Sequence, residues 1–111
     1  MILAILKNTS SVETLLNNLS EADFDLADVS VVMSDEKKAN TLGQNKGPLN
    51  GIKPEGVEGA LIKLGVSKKE AKTCQDAVTN GSILVVMKVA DEYSQAAEEM
   101  FTDHSAQLIK G

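Results

Sequence analysis

An α/β (α+β) sandwich made of two similar strand-helix-strand halves around a helical insert is predicted by three observations. Short, continuously apolar segments stand at Ile2 to Leu6 and Ile83 to Met87, an amphipathic stripe follows each, and the second pair overlies the first at a constant offset. The overlay sets Ile83-Leu84-Val85-Val86-Met87-Lys88 on Ile2-Leu3-Ala4-Ile5-Leu6-Lys7, and Ala96, Ala97 and Met100 on Leu15, Leu16 and Leu19. A chain of 111 residues suits one domain, residues 1–111, with a core that buries about two-thirds of the unfolded surface.

The first half occupies residues 1–33. Ile2 to Leu6 is short and apolar throughout, which suits a strand buried on both faces. Ser10 and Glu13 stand at capping-box spacing and predict the start of the first helix. Val12, Leu15, Leu16 and Leu19 then recur at i, i+3, i+4 and i+7, a stripe that must lie on the sheet. After Glu21-Ala22-Asp23, the β-branched run Val29 to Met33 predicts a second strand, interrupted by polar Ser30.

Residues 34–81 form the insert. From Ser34 to Gly59 the chain carries Gly43, Gly47, Gly51, Gly56, Gly59, Pro48 and Pro54, the composition of a loop. A helix from about Glu55 to Leu64 presents Val57, Leu61 and Leu64, and Gly65 supplies its left-handed cap. Ser67 and Glu70 form a second capping box, opening a helix whose Ala71, Cys74 and Val78 share a face and which ends at Asn80-Gly81.

Residues 82–111 repeat the first half. The strand Ile83 to Met87 leads to a helix capped by Asp91, with Tyr93, Ala96, Ala97, Met100 and Phe101 on one face, and then to a short strand near Gln107-Leu108-Ile109. Two such halves in one sheet predict the ferredoxin-like arrangement, βαβ–αα–βαβ: a four-stranded antiparallel sheet, two main helices and a helical insert. The two uninterrupted strands, the first and third, belong at its centre, and those broken by Ser30 and Gln107 at its edges.

The formal charge of −5 argues against nucleic acid as a partner, because phosphate binding draws its affinity from clustered Lys and Arg. The pairs Lys37-Lys38 and Lys68-Lys69 read as a solvated turn and a helix start. No run approaches the ~20 apolar residues of a membrane helix, and Ile2 to Leu6 is too short for a signal-peptide core, so no membrane partner and a cytoplasmic location are expected. Cys74 is alone, which rules out an internal disulfide and an iron–sulfur cluster.

Chemistry-bearing residues have bland readings throughout. His104, beside Asp103 near a helix end, favours the macrodipole, and no motif sets a Ser or Cys nucleophile with it. Cys74 sits on an apolar stripe as a small hydrophobe, with Lys72 on another face. Gly43, Gly47 and Gly51 are separated by polar residues and Pro48 and lack the Gly-Lys-Ser/Thr ending of a phosphate loop. Asp23, Asp25, Asp28, Glu98 and Glu99 lack the ligand order of an EF-hand or a two-histidine zinc site. No catalytic, cofactor-binding or metal-ligating residue is assigned, and no cofactor is expected.

Ala22-Asp23-Phe24, Val29-Ser30-Val31-Val32-Met33, Leu64-Gly65-Val66-Ser67-Lys68-Lys69-Glu70-Ala71 and Asn80-Gly81-Ser82-Ile83-Leu84-Val85-Val86 together resemble the bacterial general stress protein (heat-induced stress protein) domain family. The resemblance spans most of the chain and its motifs are mainly structural. It implies a stress-associated protein of unassigned molecular activity, with no catalytic residues to carry over. The chain departs from that family in its short, polar Gly43 to Gly59 stretch, in Cys74 where an aromatic residue is usual, and in His104-Ser105-Ala106 where relatives show a Gly-Ala step. No membrane or glycine-zipper role is therefore expected.

The function expected is that of a non-enzymatic interaction or regulatory domain, the alternative being a sensor that binds a small molecule at a subunit interface. A homodimer is expected, through the sheet face opposite the two main helices or through an edge strand, because that face would otherwise expose an apolar patch. The competing account has the insert helices fold across the same face within one chain.

Overall fold

The computed structural model describes residues 1–25, 28–34, 53–104 and 106–109. Four strands, β1 (Ile2–Leu6), β2 (Val29–Val32), β3 (Ile83–Met87) and β4 (Gln107–Leu108), form one antiparallel sheet in the order β2-β3-β1-β4. Among the described residues four α-helices accompany them: α1 (Thr9–Glu21), α2 (Val57–Lys63), α3 (Lys68–Thr79) and α4 (Asp91–Asp103). A 3₁₀ turn, Pro54–Gly56, precedes α2.

The continuously apolar strands take the centre as expected. β1 and β3 pair along their full length, with Ile2 opposite Met87 and Leu6 opposite Ile83. β2 lies outside β3 and β4 outside β1, where the Ile109 amide donates to the Leu3 carbonyl and extends the pairing by one bond. Ser30 nonetheless is fully buried, so its polarity does not mark a solvent-facing position on the edge strand.

Strand alternation sends side chains to two cores. On one face Ile2, Ala4, Leu6, Val29, Val31, Ile83, Val85 and Met87 meet Val12, Leu15, Leu16 and Leu19 of α1 and Ala97 and Phe101 of α4. On the other, Leu3, Ile5, Val32, Leu84 and Val86 meet Val57 and Leu61 of α2 and Ala71, Cys74 and Val78 of α3. The insert helices thus cover the second face from within the chain, as the competing account requires. An exposed apolar face is no longer a reason for a second subunit.

Capping chemistry sets the helix bounds, with two departures from expectation. α1 is capped by Asn8, whose Oδ1 accepts from the Ser11 amide at 2.8 Å, and not by Ser10. Asparagine caps as well as serine, and Asn8 stands where the extended backbone ends, so helical turns begin two residues early. In α4 the cap position is Ala90, with no side-chain cap bond, and Asp91 is the first helical residue, where its charge meets the positive helix end.

Ser67 caps α3 as expected, its Oγ accepting from the Glu70 amide at 3.3 Å, while Glu70 Oε1 accepts from the Ser67 hydroxyl at 3.0 Å in place of the backbone bond of a full capping box. Gly56 offers α2 no side-chain cap, and Gln75 of α3 supplies one instead, its Oε1 accepting from the Glu58 amide at 2.9 Å. Gly65 and Gly81 follow α2 and α3 at φ of 97°, a left-handed conformation in which a Cβ would be strained.

The apolar face expected on α4 is narrower in the fold. Ala97 and Phe101 are buried and Met100 is half-buried, but Ala96 is exposed and Tyr93 is 54% exposed. Tyr93 packs instead against Phe24, edge to face, with ring centroids 6.5 Å apart. The stretch Gly43 to Gly51 and the pair Lys37-Lys38 lie outside the described residues, as does Ser105.

Candidate functional site

The residues weighed for chemistry are kept apart by the fold. His104 closes α4 as its C-cap, half-buried, and its Nε2 accepts from the Asn18 Nδ2 amide on α1 at 2.6 Å. The ring therefore ties the end of α4 to α1. Asp103 beside it is exposed.

Cys74 is fully buried on α3 against the second face of the sheet. Burial pushes its thiol up to about 11, and the negative charge of Glu70, one turn earlier, adds to the rise. Lys72 is exposed and lies off the buried stripe. A thiolate is the reactive form, so the Cys74 thiol is expected to resist Ellman's reagent at pH 8 in the native protein and to react once denaturant unfolds it. Because the folded thiol holds its proton to about 11 while the unfolded one releases it near the ordinary 9.0, this group leaves stability unchanged below 9.0 and lowers it as pH rises from 9.0 toward 11. Rapid stoichiometric labelling without denaturant would overturn this placement.

The carboxylates scatter in the same way. Asp23, Asp25, Asp28 and Glu99 are exposed and Glu98 is half-buried. No group of three His, Cys, Asp or Glu side chains able to hold a metal ion occurs among the described residues. Lys68 and Lys69 are exposed and open α3.

A cleft of about 290 Å³ lies instead between α3 and the β4 edge, lined by Ser67, Lys69, Glu70, Thr73, Gln107, Leu108 and Ile109. Its two walls come from segments far apart in the chain. Ser67 and Glu70 were legible as a cap and Lys69 as part of a lysine pair, but nothing in local spacing joins them to Gln107 or Leu108. The cleft offers a hydroxyl, an ammonium and a carboxylate on one wall and half-buried Leu108 and Ile109 on the other. That arrangement can hold a small polar ligand with an apolar part. The Ser67 hydroxyl already serves Glu70, so the α3 amide end is partly satisfied by its own cap.

No helix among the described residues is long and apolar enough to cross a membrane. No family model, curated protein or solved structure matches the chain.

Proposed function

We propose that the chain is a small interaction or regulatory domain without enzymatic activity, working as a homodimer whose second copy joins along β4. The observation that carries this reading is the distribution of cover: helices pack on both sheet faces, while β4, at the end of the sheet, pairs with β1 alone among the described residues. Backbone pairing along two residues is weak by itself. Leu108 and Ile109, half-buried beside the cleft, supply the apolar part of the contact. The strand order, with α1 and α4 together on one face, supports a ferredoxin-like reading of the fold. The resemblance to general stress proteins supports a stress-associated role.

Light scattering coupled to size exclusion tests the dimer. At tens of micromolar the expected mass is twice the 11.8 kDa chain, and Leu108→Lys is expected to return it to one. A mass of one chain at every concentration would overturn the reading.

The α3–β4 cleft favours a second reading, a sensor that takes a metabolite at the subunit interface, because a copy added at β4 would close the cleft's open side. Thermal-shift screening against nucleotides, amino acids and metals separates the two. A ligand at a hundred times its dissociation constant adds about 2.7 kcal/mol of apparent stability, and a reproducible shift with any metabolite favours the sensor.

A further inference from the structure

The residues Ala22, Asp23, Phe24 and Tyr93 line a notch of about 290 Å³ that shares no residue with the α3–β4 cleft. Two aromatic rings meet there edge to face, at 88° between planes, and one of them, Tyr93, remains 54% exposed. Tyr93 is thus held at the surface, outside the core, by packing on another ring, with more than half of the residue open to solvent.

The charged residues nearest those two rings in the sequence are acidic. Asp23 is exposed, and it holds a left-handed backbone, φ 68°, that only a few side chains accept. The notch sits just past the C-terminal end of α1, where the helix macrodipole is negative and the last turn has no basic side chain to offset it. Asp91 and Glu92, both exposed, precede Tyr93 in the first turn of α4 and answer that helix's positive end. An aromatic face beside a carboxylate recognises an organic cation, which neither a neutral apolar group nor an anion can replace. The volume suits a single head group and its short stem, below the usual span of drug-sized pockets.

We infer that the Phe24–Tyr93 notch, with Asp23, is a binding site for an alkylguanidinium or alkylammonium group. The cation stacks on the exposed Tyr93 ring and is held by the Asp23 carboxylate, and Phe24 fixes the ring it stacks on. The ligand class is the arginine-like or lysine-like head group, carried by a free metabolite or by a partner's side chain.

Tyr93 is the one tyrosine of a chain without tryptophan, so tyrosine fluorescence reports on the notch directly. In low salt, titration of the full chain with n-butylguanidinium is expected to give a saturable change with a Kd on the order of millimolar. The neutral isostere n-butylurea is expected to give none, and N-acetyltyrosinamide controls for direct quenching. Asp23→Asn removes the charge and keeps a residue that tolerates the left-handed backbone. It is expected to weaken binding about fivefold while circular dichroism stays unchanged. A blocked Gly-Arg-Gly peptide binding more tightly than free arginine assigns the group to a partner protein, and the reverse order assigns it to a metabolite. Equal titrations with the urea and the guanidinium, or an Asp23→Asn chain that binds like the parent, would overturn the site.

Discussion

Replacing Leu16 with alanine is expected to lower the unfolding free energy by about 2 to 4 kcal/mol. Leu16 is 4% exposed and belongs to the core that α1 and α4 share with the sheet. Its neighbours have little room to collapse into the gap. Leu15 and Leu19 are fixed on the same helix, Phe101 and Ala97 come from α4, and β1 and β3 are held by paired backbones. The lost side chain therefore leaves a cavity in addition to the lost transfer energy. His104→Ala makes the comparison informative. That change removes one half-buried hydrogen bond between Asn18 and the end of α4, worth about 1 kcal/mol. Urea denaturation with a common slope measures both. A larger loss for His104 than for Leu16 would mean that α1 presents a different face to the sheet and that the histidine does more than tie two helices.

The stripe that places Leu16 in the core was legible because periodicity needs only one element at a time. Strand bounds were read nearly to the residue for the same reason: β1 and β3 match the apolar runs Ile2 to Leu6 and Ile83 to Met87, and β2 stops one residue before the end of the run Val29 to Met33. Helix starts were less legible. Ser10 with Glu13 and Asn8 with Ser11 both offer a side-chain oxygen to a free amide, and only the extended backbone at Asn8 decides between them. Tyr93 failed differently. It lies on the periodic face of α4 with Ala97 and Phe101, yet its position over Phe24 depends on where α1 ends and not on any period. The notch and the α3–β4 cleft were beyond local reading altogether, since each joins segments that meet only after the sheet has formed.

The cover of the second sheet face was the open alternative in the sequence, and Leu61→Ala tests how it is met. Leu61 is fully buried between α2 and the sheet, in contact with the cluster of Leu3, Ile5, Leu84, Val86 and Cys74. Its replacement is expected to cost about 2 to 4 kcal/mol, by the same cavity argument as for Leu16. The helix that carries it differs from α1 in a way that adds a second signature. α2 has seven residues and no side-chain cap at Gly56, and it leans on α3 through Gln75. A weakened α2 is therefore expected to open locally before the whole chain unfolds, since short elements with few contacts lie at the low end of local stability. Opening uncovers Cys74, so the thiol should react with Ellman's reagent faster than in the parent, at a rate independent of protein concentration. If a second subunit covered this face instead, both the cost and the thiol rate would change with concentration. A cost below about 1 kcal/mol with unchanged thiol protection would place Leu61 outside the cover of the sheet.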